Sequence, residues 1–212
     1  RKENKNHTTD TESLDLDEIS VKGLFKQIND NELNYQSFKW AYKGWKSLKE
    51  KDIDFKGNIL TIIDFSKPSD QKRFFVIDLR KAKIVYKSLV AHGRNSGLKM
   101  ATEFSNIPQS LQSSLGLFLT AETYFGKHGL SLRLDGLEEG INDNARRRLI
   151  VIHSADYAES SFVQRFGRLG RSFGCPALPK KDYKKVIDRI KDKSALYIYA
   201  PSDEYVQKSD LI

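Results

Sequence analysis

The run Ile59-Leu60-Thr61-Ile62-Ile63-Asp64-Phe65 decides the architecture. It is short, dense in β-branched residues, and followed by the turn signal Lys67-Pro68-Ser69-Asp70, which reads as a strand. Runs of the same character recur at Arg73 to Leu79, Lys83 to Ala91, Leu115 to Thr120, Leu130 to Leu134, Leu149 to His153 and Ala195 to Ala200. Turns such as Gly93-Arg94-Asn95-Ser96-Gly97 and Asp135-Gly136 separate them. A mostly β domain over residues 58–212 is expected.

The pattern ahead of Asn58 is different. Leu24, Phe25, Ile28, Leu33, Tyr35, Phe38, Ala41, Tyr42, Trp45 and Leu48 recur at three- and four-residue spacing. This predicts two short helices, broken near Asn29-Asp30-Asn31, in a segment over 14–57 packed on the domain. Residues 1–13 are polar and aperiodic and read as a disordered tail. Tyr157, Ala158, Phe162 and Phe166 predict a helix over 155–166, and a further helix is expected over 180–192, after Pro179. Between the strands lies a long polar segment, Asn95 to Ser114, a length at which loops tend to be functional or mobile. It reads either as a cleft wall or as a packed crossover.

The 212 residues suit one main domain. With 39% hydrophobic and 30% charged residues, the composition is that of a globular protein. No apolar run approaches the ~20 residues of a membrane-spanning helix. The net charge is +8, with residues 1–30 carrying five Lys/Arg against seven Asp/Glu, so the excess lies in the remainder. Such a surface attracts polyanions, but the basic residues are scattered and no nucleic-acid motif accompanies them, so no nucleic-acid partner is expected. Asp135 to Arg148, with its Arg146-Arg147-Arg148 run, reads first as a solvated hairpin and second as an anion site. The sequence opens on Arg1 rather than Met, which reads as a trimmed or processed product from which an export signal would already be missing.

One cysteine excludes an intrachain disulfide and a four-thiolate metal site. The histidines, His7, His92, His128 and His153, have no i, i+4 partner, so neither a structural metal nor a cofactor is expected. Cys175 lies in Gly170-Arg171-Ser172-Phe173-Gly174-Cys175-Pro176-Ala177-Leu178, and His153 ends an apolar run 22 residues before it. A lone cysteine is often a small buried hydrophobe. This one sits instead in a loop of Gly, Arg and Ser closed by Pro176, a poor place for a packing residue. An imidazole and nearby backbone dipoles are what a thiol needs to act as a nucleophile near neutral pH. The small Gly174 admits substrate, and the amides of Gly174 and Cys175 are the expected oxyanion donors. His92, beside Gly93, and His128, in Tyr124-Phe125-Gly126-Lys127-His128-Gly129, lie at strand ends where loop residues often carry function. With Tyr124 they are candidates for substrate contact.

The order His, then Ser-x-Gly-Cys, resembles the signature of the YkuD-type L,D-transpeptidases, cysteine enzymes that remodel bacterial peptidoglycan. Leu60 to Leu79, Leu89 to Gly97, Ser113-Ser114-Leu115-Gly116 and Gly170 to Leu178 resemble a divergent branch of that family, over about Leu33 to Ala200. The resemblance implies a β-sandwich or barrel-like catalytic domain, with Cys175 as nucleophile and His153 as general base. Ser172 and Gly174 match the signature, and Ser154 takes the place of a glycine after the base. Ala177 stands where the commoner branch has an arginine, and Arg171 or Arg168 is the expected substitute. The implied partner is a peptidoglycan stem peptide: Cys175 takes the acyl group of a donor tetrapeptide, D-Ala leaves, and an amine or water resolves the thioester. Exported localisation, acylation by a carbapenem and a monomeric state complete the expectation. Two alternatives stand beside it. A sortase-like enzyme needs a Thr-Leu-x-Thr-Cys run, which the cysteine loop does not match. A catalytically inactive wall-binding scaffold predicts a buried, unreactive Cys175.

Overall fold

The computed structural model describes Leu16 and residues 19–211; the expected tail over 1–13 lies outside them. Among the described residues the strands are β1 (Lys56–Asp64), β2 (Phe74–Asp78), β3 (Lys83–Ser88), β4 (Gly116–Gly126), β5 (Gly129–Gly136), β6 (Val151–Ser154), β7 (Ala177–Leu178) and β8 (Ser194–Tyr199). They form a single mixed sheet in the order β3-β2-β1-β8-β4-β5-β6-β7. β1 lies inside it, antiparallel to β2 and parallel to β8. Ile59 to Asp64 are buried on both faces, which is why the run lacks polar alternation.

The helices are α1 (Val21–Ile28), α2 (Tyr35–Glu50), α3 (Ser160–Phe166), α4 (Tyr183–Ile190) and α5 (Asp203–Lys208). α1 and α2 are the two expected N-terminal helices. Asn29 ends α1 in the left-handed region at φ 47°, and Asn34 caps α2 by accepting from the Gln36 and Ser37 amides. The aromatic stripe is packing, as expected: Phe38, Tyr42 and Trp45 stack in succession, and Trp45 Nε1 donates to the Gly57 carbonyl at 3.0 Å. α2 lies against β1 and β8. No described helix is long and apolar enough to cross a membrane.

Two differences from the sequence reading concern the site. The helix expected over 155–166 breaks at Glu159 into a 3-10 turn, Asp156–Ala158, followed by α3. Glu159 is extended, at φ −75° and ψ 153°, so the helical spacing of the apolar residues bridges a bend. The second difference is β7, only two residues long and therefore without a readable alternation. It pairs in parallel with β6, and Ala177 also exchanges hydrogen bonds with Ala91, beyond the end of β3. A further bridge, Gly93 with Ser172, extends this junction. The sheet thus curls until its two edges meet, a barrel-like closure, and the cysteine loop is held at the seam.

Candidate active site

The β6–β7 pairing brings the two residues of interest together. His153 is in register with Ala177, two residues past Cys175, and its amide donates to the Pro176 carbonyl at 3.4 Å. On β6, Val151 and His153 share a face; Val151 pairs with Arg133 of β5, and Ser131, on the same face as Arg133, pairs with Tyr124 of β4. Tyr124, Ser131, Arg133, Val151 and His153 therefore line one side of the sheet. The Tyr124 ring lies under the Arg133 guanidinium at 4.4 Å.

His153 is 3% exposed, and its Nδ1 is 3.0 Å from the Ser154 carbonyl oxygen. A carbonyl only accepts, so Nδ1 carries the proton and Nε2 is the basic nitrogen. Burial pushes the imidazole pKa down, the Ser154 carbonyl opposes this, and the His128 charge adds to the lowering. His128 is exposed at the β4–β5 hairpin and stacks on His153 with ring centroids 4.5 Å apart. Ser154 thus enters through its backbone oxygen.

Cys175 is half-buried and free. Its sulfur is 3.4 Å from the Val151 amide and 3.5 Å from the Leu149 carbonyl oxygen, to which the thiol donates. Burial pushes the thiol pKa up; the Val151 amide and the Arg148 charge work against that. At rest the pair is a neutral thiol and a neutral imidazole.

The cysteine turn is internally braced. Ser172 Oγ donates to the Cys175 carbonyl at 2.6 Å and accepts from the Gly174 amide at 3.0 Å. The Gly174 amide, expected as an oxyanion donor, is thus already engaged, because the serine two residues back is close enough to close a side-chain turn. Gly174 itself is required: its φ is +126°, and a Cβ there would lie 2.8 Å from the Gln112 carbonyl oxygen.

Two of the proposed substrate contacts lie elsewhere. His92 is fully buried; its Nδ1 accepts from Arg73 Nη2 at 2.7 Å and its Nε2 is 3.2 Å from the Gly97 carbonyl oxygen. It braces the turn beneath the cysteine loop, and its own carbonyl accepts from the Ser172 amide. Arg171 turns its Nη1 to the Arg94 and Gly97 carbonyls at 3.0 and 3.2 Å, away from the sulfur. Position 177 is fully buried in the seam, so an arginine has no room there. The charges of Arg148 and of a Cys175 thiolate favour each other, and Tyr157 feels the same sulfur. The Tyr157 phenol is pushed up to about 12, by burial first and by the thiolate charge second. Sequence alone marked neither: Tyr157 read as helix packing, and Arg148 as one of three adjacent arginines.

His92 gives a stability prediction. Burial and the Arg73 charge lower its pKa to about 3, against 6.5 ordinarily. Below pH 6.5 the unfolded chain takes up a proton that the folded chain refuses, so this contribution is complete above 6.5 and drains as pH falls toward 3. The raised carboxyls of Asp64 and Glu138 act in the opposite sense. The difference between parent and His92→Gln is therefore the clean readout. Urea unfolding at pH 7 and pH 4 should show the parent losing about 3 kcal/mol more than the variant over that interval. Equal losses in the two proteins would remove His92 as the cause.

Among the described residues, no group of three or more His, Cys, Asp or Glu side chains is placed to hold a metal ion. The sequence profile of the L,D-transpeptidase catalytic domain matches residues 29–199. Similar solved structures include an L,D-transpeptidase from Mycobacterium smegmatis, 14% identical, covering 68% of this chain and 59% of that one with a TM-score of 0.42. An L,D-transpeptidase from Mycobacterium tuberculosis is 12% identical over 68% of this chain and 58% of its own, at 0.43. The helical cell shape determining protein of Campylobacter jejuni is 12% identical over 68% and 48%, at 0.46. The chain spans less than two thirds of the length of each of these, and no curated protein matches it. The match over residues 29–199 covers most of the sequence: the chain belongs to the L,D-transpeptidase catalytic domain family.

Proposed function

We propose that the protein is a cysteine-dependent L,D-transpeptidase acting on peptidoglycan stem tetrapeptides outside the cytoplasm, with residues 58–212 as its catalytic body and 14–57 as a supporting segment. One observation carries the reading: the β6–β7 pairing sets His153 beside the cysteine turn with Nδ1 committed to the Ser154 carbonyl, so that Nε2 is the base. The sulfur rotates from the Leu149 carbonyl toward that nitrogen when substrate enters, since hydrogen bonds of this kind are often loose in an empty site.

His153 Nε2 takes the thiol proton as Sγ attacks the carbonyl carbon of the donor's third, diaminopimelate-type residue. The Cys175 amide, which donates to no described residue, meets the oxygen on which negative charge develops. The imidazolium returns its proton to the departing D-Ala nitrogen, and a thioester remains. An acceptor amine, deprotonated by His153, then attacks the thioester; the new amide closes a 3→3 crosslink and the sulfur leaves as the thiol. Water in place of the amine gives an L,D-carboxypeptidase. Tyr124 and His128 line the approach on the His153 face. The net charge of +8 suits a carboxylate-rich polymer.

A second reading, an inert wall-binding module, draws on the resting thiol, which faces Leu149 rather than His153 and has a raised pKa. Incubation with purified disaccharide-tetrapeptide, followed by mass analysis, separates the two. Crosslinked dimer with free D-Ala, or tripeptide with free D-Ala, supports the enzyme. Unchanged substrate, with no carbapenem adduct on Cys175 after long incubation, establishes the inert module.

A further inference from the structure

Arg148 is the third of three consecutive arginines, and the fold treats it unlike its neighbours. Arg146 is exposed and ion-paired with Glu122 and Asp135, at 2.9 and 2.5 Å, and Arg147 is exposed. Arg148 turns inward and is half-buried. Its Nη1 donates to the Ser105 carbonyl at 2.5 Å and Ser114 Oγ at 2.6 Å, and its Nη2 to Ser110 Oγ at 3.0 Å and the Gln112 carbonyl at 2.7 Å. All four acceptors are uncharged and all lie in residues 105–114. Nε is buried without a hydrogen-bond partner. Among the described residues no carboxylate pairs with this guanidinium. Its Nη2 lies 3.6 Å from the point a Cβ on Gly174 would occupy, next to Cys175, and Cys175 is the ionisable group that favours its charged form.

The segment it grips is fastened in turn to the cysteine turn. Ser113 Oγ donates to the Gly174 carbonyl at 3.1 Å and accepts from the Gly93 amide at 3.0 Å. An unbroken chain of contacts thus runs from the guanidinium through residues 112–114 to Gly174 and the sulfur. We infer that Arg148 is a positioning residue of the thiol site: its guanidinium fork pins residues 105–114 against the turn that carries Cys175, and its charge is the cation beside the sulfur as negative charge forms there. The first half concerns the turn alone; the consequence for turnover rests on the proposed transpeptidase reading. The thiol pKa, raised by burial and lowered by Arg148, is consistent with the second half. A neutral amide offers two N–H donors and a hydroxyl one, so neither could make the four bonds of the guanidinium fork or supply its charge.

The test compares Arg148→Met, Arg148→Lys and Ser110→Ala with the parent in two readouts. One is the pH profile of iodoacetamide alkylation of Cys175, followed by intact mass; the other is kcat on disaccharide-tetrapeptide. Far-ultraviolet circular dichroism and Tm establish the folded fraction. Arg148→Met should move the alkylation midpoint upward by about one pH unit, a roughly tenfold loss of rate below it. Arg148→Lys keeps the charge and loses the fork, so its alkylation profile should return to the parent's while kcat stays depressed by ~10–100-fold. Ser110→Ala removes one acceptor and leaves the charge, so alkylation is unchanged and kcat falls a few-fold. Alkylation profiles that superimpose for parent and Arg148→Met would overturn the electrostatic role. If Arg148→Met does not fold, the Lys and Ser variants decide: parent kcat in both overturns the positioning role. Alkylation needs no peptidoglycan. A parent inert on tetrapeptide whose alkylation still shifts in Arg148→Met would sink the transpeptidase reading and leave the electrostatic inference standing.

Discussion

Cys175→Ala is expected to abolish formation of both dimer and tripeptide from disaccharide-tetrapeptide, a loss on the order of 10⁴-fold or more, because no other group in the site can form the covalent intermediate. The fold should hardly notice. The sulfur's two hydrogen bonds are long, at 3.4 and 3.5 Å, and the residue is half-buried rather than embedded in the core. Losing them costs about 1 kcal/mol or less, a Tm shift of a few degrees. Product formation by the variant at the parent's rate would end the mechanism. Collapse of Tm with activity would show instead that the thiol is a packing residue.

His153→Gln should lower kcat by about 10²–10⁴-fold, the usual share of a positioned general base. The thiol remains alkylatable at alkaline pH, where it ionises without help, so alkylation above its midpoint should survive in the variant. The acid side carries more information. Burial holds the His153 pKa below its ordinary 6.5, and in the proposed mechanism the reactive form is the deprotonated one. The base is therefore ready at pH 7, and the rate should begin to fall only as pH drops below 6.5 through the lowered pKa. That acid limb should vanish in His153→Gln. A parent rate that already declines above pH 6.5 would mean that the titrating group is not a buried His153.

The resting arrangement explains why neither group needs to be charged in advance. Both sit in a seam where burial disfavours the ionised form, so a thiolate–imidazolium pair would meet that cost twice over. A proton passed directly during attack avoids it. In the proposed mechanism Arg148 and the Cys175 amide then face the charge only while it exists, which is where stabilisation accelerates a reaction.

Much of the architecture was legible because it rests on local patterns. The β-branched runs became strands, and the aromatic spacing before Asn58 became α1 and α2 with their Asn caps. The thiol in a polar Gly-Ser-Arg loop, with a histidine at the end of an apolar run, was equally visible. What escaped was whatever depends on a partner distant in sequence. β7 exists only because Ala91 and His153 flank it. Glu138 reads as one more surface acid, yet it is buried, accepting from the Leu117 amide at 2.6 Å and from Ser209 Oγ at 2.6 Å, and so ties the C-terminal segment to the sheet.

The sequence by itself determined that this is a mostly β chain with a helical start, and which thiol and imidazole to watch, because alternation, helical spacing and residue chemistry are properties of short stretches. Only the tertiary structure decided which polar side chains lie around the cysteine turn. Three arginines in a row are equivalent on paper; folded into the turns that precede Leu149, Arg148 points inward to residues 105–114 while Arg146 goes to Glu122 and Asp135. His92 and Arg171, equally plausible on paper, are drawn to backbone carbonyls of the 94–97 turn once the sheet edges close. A charge is placed by the field and the hydrogen-bond acceptors around it, and those are assembled from parts of the chain that no local pattern connects.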